Sequence, residues 1–135
     1  MTLYKFTKYS ILVSAYSNIR IIEKELQKML SPQSDELRLL HNNICRALGD
    51  PLRIQILYAL NVEPLNVTAL STALEIPQST ASRHLAILRQ RSLVTTERSG
   101  QAVTYRLADQ RIIRVLDSMR LILRDSLERQ SSILV

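Results

Sequence analysis

The sequence predicts a mostly α-helical fold carrying one small β-hairpin, organised around a helix-turn-helix. Three observations predict it. Residues 67–91, VTALSTALEIPQSTASRHLAILRQR, read as helix, tight turn and helix. Residues 93–107 switch to a pattern rich in valine, threonine and tyrosine on either side of Arg98-Ser99-Gly100-Gln101, which marks a hairpin. Amphipathic stretches at helical period, residues 11–30 and 109–129, stand near the two ends.

The second helix of the pair has two unlike faces. At about 100° per residue, Ala81, His84, Leu85 and Leu88 fall on one side. Ser79, Ser82, Arg83, Ala86, Arg89 and Gln90 fall on the other. An apolar back with a front of hydroxyls, amide and guanidinium suits a polar, anionic partner. It fits a helix laid in a DNA major groove, whose N-terminal side chains reach base edges. Charge agrees. The chain has 18 lysines and arginines against 12 acids, a net +6. Residues 78–107 hold five arginines (83, 89, 91, 98, 106) and one acid, Glu97, so a local +4 sits in this segment.

The remaining elements follow in order. Residues 1–10 carry no clear signal. In 11–30 the apolar stripe is Leu12, Ala15 with Tyr16, Ile19, Ile22, Leu26 and Met29 with Leu30. Ser31-Pro32 ends it, because proline cannot continue the ladder. Ser34 or Asp35 can cap the next helix, whose apolar face is Leu37, Leu40, Ile44 and Leu48. Gly49-Asp50-Pro51 reads as left-handed C′ glycine, N-cap and N1 proline. A helix over 51–60 buries Leu52, Ile56, Leu57 and Leu60. Asn66 caps the first helix of the pair, with Leu70 and Leu74 inward, and Ile76-Pro77 makes the turn. Asp109 opens the last helix. Its apolar positions (Ile112, Ile113, Val115, Leu116, Met119, Ile122, Leu123 and Leu127) cover more than one face. That is too much for a helix lying on a small domain with its outside in water.

The 135 residues, 46% hydrophobic, suit one domain over 1–135 with one core. One cysteine, Cys45, permits no intrachain disulfide. Lys5 and Lys8 precede an apolar run over 11–13, too short for a signal peptide, and no run approaches the ~20 residues of a membrane helix. A soluble, cytoplasmic protein is expected. Two histidines and two glycines leave triad and phosphate-loop chemistry effectively absent. No enzyme and no cofactor are expected.

Helices, helix-turn-helix, hairpin and final helix make a winged-helix arrangement, and here the chain resembles the ArsR/SmtB bacterial repressors. The matching pieces are ALGDPLRIQIL (47–57), LNVTALSTALEIPQSTASRHLAILRQRSLV (65–94) and ERSGQAVTYRLAD (97–109). The likeness covers roughly residues 40–128; the first 30 are less typical. It implies a winged helix-turn-helix homodimer that binds a pseudo-palindromic operator and represses transcription until a signal releases it. DNA-reading positions map to Gln78, Ser79, Ser82 and Arg83, the wing tip to residues 98–101, and the dimer surface to the N- and C-terminal helices.

Two metal motifs of the family are not matched. Where many members carry C-x-C, this chain has Asn66 and Thr68, which offer no thiolate. Where others carry D-x-H and H-x-x-E, Asp109 and Asp125 keep the carboxylates, but Arg111 and Ile122 replace the histidines. No metal site is carried over.

Several residues admit two uses. Arg83 suits bidentate contact to guanine, or a phosphate. Gln78 and Ser79 lie where free backbone amides also favour phosphate. Arg89 extends the basic front. Arg98 and Gln101 reach a minor groove or phosphate, or simply form a solvated turn. His84 borders the core, for packing or a phosphate contact. His41 and Cys45, four apart, offer two metal ligands or a thiol sensor, or else a buried cysteine and a capping or surface histidine. Some winged helices bind proteins instead, so a protein-interaction module is the alternative, as is a metal- or thiol-responsive repressor using His41 and Cys45.

Overall fold

Residue 50 shows how the fold is punctuated. In the computed structural model, which describes the backbone of residues 2–133 and the side chains of residues 10–133, Asp50 stands between two helices with extended backbone. Its Oδ1 accepts the amides of Leu52 at 2.9 Å and Arg53 at 3.4 Å, and Pro51 fills the first helical position.

The elements are α1 (Thr2–Leu30), α2 (Ser34–Leu40), a π-helical turn (His41–Cys45), α3 (Arg46–Leu48), α4 (Pro51–Val62), α5 (Val67–Leu74), α6 (Gln78–Gln90), β1 (Val94–Ser99), β2 (Ala102–Leu107) and α7 (Arg111–Ile133). Contacts divide the chain into two compact units, Met1–Arg38 and Leu39–Val135, with the division inside α2.

In the first unit, α1 begins at Thr2. The region 2–10, without a signal in sequence, is helical; it holds no glycine or proline to stop a helix already propagating. Met1 lies outside the described residues, as do the side chains of 2–9. From residue 10 on, every side chain of α1 is exposed, including Leu12, Ile19, Ile22 and Leu26.

In the second unit, α4, α5, α6, the hairpin and the start of α7 enclose one core. Ile56, Leu57, Leu70, Leu85 and Leu88 are fully inaccessible, and Ala47, Leu60, Ala81, Leu93, Val94, Ile112, Ile113 and Leu116 complete it. Of the apolar face read over residues 37–48, Ile44 and Leu48 pack on this core, whereas Leu37 and Leu40 are exposed. Ala47, which the stripe omitted, is the buried residue there.

Gly49 departs from expectation. Its φ is −74°, not left-handed. The helix end closes instead on a short turn, Gly49 N–H to Arg46 O at 3.3 Å. Arg53 reaches back and donates Nε–H to Ala47 O and Nη2–H to Arg46 O, satisfying carbonyls that a left-handed cap would otherwise have served.

The true left-handed positions are Glu75 (φ 54°) and Ser92 (φ 58°), which end α5 and α6. After α5, Glu75 N–H reaches Thr72 O and Ile76 N–H reaches Ser71 O, so the turn starts before the predicted Ile76-Pro77. Asn66 caps α5 as expected, accepting Ala69 N–H at 2.7 Å.

The hairpin is antiparallel, pairing Val94 with Leu107 through Ser99 with Ala102. Gly100 and Gln101 alone form the loop, with Gly100 at φ +62°, the conformation that glycine supplies freely. The last helix extends to Ile133, beyond the expected end at 129. Asp109 precedes it and accepts Arg111 N–H at 2.8 Å. Tyr58 on α4 donates its hydroxyl to Asp117 on α7 at 2.6 Å, and Arg120 covers the Tyr58 ring at 5.4 Å. Burial and this bond hold the Tyr58 hydroxyl above its ordinary pKa.

Candidate nucleic-acid interface

The site is built on α6. Ala81, His84, Leu85 and Leu88 turn into the core, while Ser79, Ser82, Arg83, Ala86, Arg89 and Gln90 are exposed together. Leu85 and Leu88 lock the rotation of the helix, because any twist would expose them. His84 is 7% exposed, with Nδ1 3.5 Å from Arg53 Nη1. It packs and does not reach the surface, so the phosphate contact considered for it is excluded by burial. Arg53, close to Asp50 at 3.6 Å as well, ties the start of α4 to the back of α6.

The five arginines of this segment separate into two groups. Arg106 pairs with Glu97 at 3.1 Å, and Arg91 donates to Asn43 at 3.1 Å. Arg83, Arg89 and Arg98 have no carboxylate partner among the described residues. Only Arg106 is paired with a carboxylate; Asn43 is neutral, so Arg91 keeps its charge with one donor engaged, whereas the side-chain donors of Arg83, Arg89 and Arg98 are all free among the described residues.

Gln78 opens α6, and its Nε2 donates to Thr68 Oγ1 on α5 at 3.1 Å. Thr68 therefore orients the amide of the first residue of the helix. Ser79 is exposed beside it, and no side chain caps α6, so its first amides stay available. Arg98 and Gln101 sit at the far end of the hairpin, Arg98 in β1 and Gln101 in the loop. Ser82 and Arg89 converge instead on an open cleft beside β2, which they line with Ala86, Gln90 and Tyr105. Sequence reasoning missed Thr68 and Tyr105. Strand alternation could have raised Tyr105; nothing local marks Thr68 as a partner of Gln78.

The metal positions of the family hold other chemistry. Asn66 is consumed as a helix cap and Thr68 by Gln78. Asp109 is clamped by the Arg111 guanidinium, at 2.6 Å from Nη2 and 3.0 Å from Nε, which lowers its pKa to about 2. A carboxylate already paired with a cation, and beside no imidazole, does not fit a divalent metal. His41 and Cys45 are both exposed on the π-helical turn, so the buried cysteine is corrected. Among the described residues no three His, Cys, Asp or Glu side chains cluster with metal-binding geometry.

The family described as "Bacterial regulatory protein, arsR family" matches residues 50–96, which run from the Asp50 cap into β1. The transcriptional repressor SdpR of Bacillus subtilis is 32% identical over 66 residues, 49% of this chain and 73% of that protein. The chain belongs to the ArsR family. A second relative is the HTH-type transcriptional repressor SmtB of Mycobacterium tuberculosis, 38% identical over 86 residues. That match spans 64% of each protein, so about a third of that repressor's length lies outside the likeness. Among solved structures, the homodimeric winged helix-turn-helix DNA-binding domain Mb0332 of Mycobacterium bovis superposes with a TM-score of 0.60 at 29% identity. It covers 73% of this chain and 94% of that one. The fold of this ArsR-family chain is thus a winged helix-turn-helix, with the hairpin as wing.

Proposed function

We propose that this ArsR-family protein is a homodimeric, sequence-specific DNA-binding transcriptional regulator, a repressor released by a signal. The observation that carries it is the exposed front of α6: hydroxyl, amide and uncompensated guanidinium groups, held outward by a buried apolar back. In this reading α6 enters the major groove. Arg83 reads a base edge, Gln78, Ser79 and Ser82 contact bases or phosphates, Arg89 adds charge, and Arg98 with Gln101 on the wing reach the flanking backbone or minor groove. The protein works as a binder and not as a catalyst. It acts in the cytoplasm, where DNA is; among the described residues no helix is long and apolar enough to cross a membrane.

Dimerisation is supported by apolar surface that the monomer leaves open. On α7, Met119, Ile122, Leu123 and Leu127 are each more than half exposed. On α1, Leu12, Ala15, Ile19, Ile22, Leu26 and Met29 recur at alternating intervals of three and four, the seam of a two-stranded coiled coil. A twofold pair places two recognition helices in successive major grooves, about 34–36 Å apart. A signal that alters how the helices pack would change that spacing and so the affinity.

The test is direct. The full-length protein should select duplexes from a random library, and its affinity for them should fall steeply with salt, by a log–log slope of about −0.9 per phosphate neutralised. Failure to enrich any duplex, or a flat salt profile, would overturn the reading.

A further inference from the structure

The cleft between α6 and the wing has a volume of about 430 Å³ and is lined by Ser82, Ala86, Arg89, Gln90 and Tyr105. Four of the five bring donors: two hydroxyls, a carboxamide and a guanidinium. None of these four side chains is bonded to another group among the described residues, and no acid lines the cleft. Ala86 leaves its floor open. Tyr105 is held rigidly, since its backbone exchanges two hydrogen bonds with Leu65, at 2.8 and 3.1 Å, besides pairing with Thr96 across the hairpin. Tyr105 is half-buried and lines the cleft.

Convergent donors with one fixed positive charge and no negative one suit an oxyanion. The place along α6 narrows the choice. Residues 82, 86, 89 and 90 follow the helix toward its C-terminal end, whereas base edges are reached chiefly from the N-terminal end of a recognition helix. We propose that this cleft binds a phosphodiester group of the duplex backbone. Arg89 is the charged anchor, and Tyr105, Ser82 and Gln90 donate to the phosphate oxygens. The inference rests on the DNA-binding reading above and adds to it Tyr105 and Gln90 as residues that hold a phosphate.

A free phosphate ion offers the same chemistry, so the experiment has two arms. In the first, wild type, Tyr105→Phe, Gln90→Ala and Arg89→Ala are titrated by fluorescence anisotropy, over a range of potassium chloride. The targets are a duplex selected by the wild type and a scrambled duplex of equal length. Tyr105→Phe and Gln90→Ala should each weaken binding by roughly 3- to 10-fold on both duplexes, because phosphates carry no sequence. Their salt slopes should stay at the wild-type value, since neither group is charged. Arg89→Ala should lower the slope by about one. In the second arm, inorganic phosphate is added at constant ionic strength, and the ring resonances of Tyr105 should show no saturable shift.

Wild-type affinity in both uncharged variants, with a wild type that binds DNA normally, would remove the cleft and leave the DNA reading standing. A loss confined to the selected duplex would make the cleft a base-reading site and overturn the proposal. So would saturable binding of inorganic phosphate with duplex affinity untouched. A wild type that binds no duplex would remove both readings together.

Discussion

Arg83 is the single residue on which base reading turns. It is exposed on the front of α6, with no carboxylate partner among the described residues, so its fork is free for the two acceptors of guanine. Arg83→Ala should cost about 1–3 kcal/mol of binding and flatten base preference at one position of the selected duplex. Competition titrations with single-base variants check this; unchanged preference would assign Arg83 to phosphate. Much at this scale was legible in the sequence. The helical wheel alone separates Ala81, His84, Leu85 and Leu88 from the exposed front, because residues about 100° apart keep their sides whatever surrounds them. The partners of the polar residues were not legible. Thr68 stands ten positions before Gln78, and only the close crossing of α5 and α6 joins them. That Arg91 and Arg106 are already engaged is equally invisible to a charge count, which treats all five arginines alike.

Elements depend on their ends. Asp50 caps α4 and stands beside Arg53, whose guanidinium also holds the end of α3 and approaches His84. Asp50→Ala should destabilise the fold by about 1 kcal/mol, read as a lower urea midpoint with unchanged slope. The effect should depend on pH. Burial acts to raise the Asp50 pKa, but the Leu52 and Arg53 amides, with His84 and Arg53 nearby, outweigh it and hold it below 3.8. A carboxylate with a lowered folded pKa stabilises fully above its unfolded pKa, and that contribution disappears as pH falls through the folded value. The gap between wild type and Asp50→Asn should therefore be wide at pH 6 and shrink below about pH 4. A constant gap would show that the cap acts without its charge. The caps at Asp50 and Asn66 and the proline at 51 were readable, since they are chemistry between neighbours in the chain. The left-handed ends at Glu75 and Ser92 were not, because neither residue favours that conformation and packing imposes it. Gly49 is the converse, a residue able to turn left-handed where Arg53 removes the need.

At the scale of the molecule, the apolar faces of α1 and α7 require a partner, and a second copy is the one proposed here. Ile19→Glu with Ile22→Glu in α1, and separately Met119→Glu with Ile122→Glu in α7, should shift sedimentation toward the monomer. A monomer presents one recognition helix, so affinity for a two-half-site duplex should fall by at least tenfold while a half-site duplex loses little. Dimers that persist in both pairs of variants would place the association elsewhere.

By itself, the order of residues determined the periods, the breaks between elements and the two-sided character of α6, because each arises from groups a few positions apart along one backbone. It also marked the winged-helix arrangement, through three motifs over residues 47–57, 65–94 and 97–109. Only tertiary structure decided which arginines stay free, that Thr68 sets the amide of Gln78, that His84 is shut inside, and that Tyr105 closes a cleft against α6. Those outcomes depend on groups brought together across space by core packing, and a one-dimensional pattern contains no term for that distance.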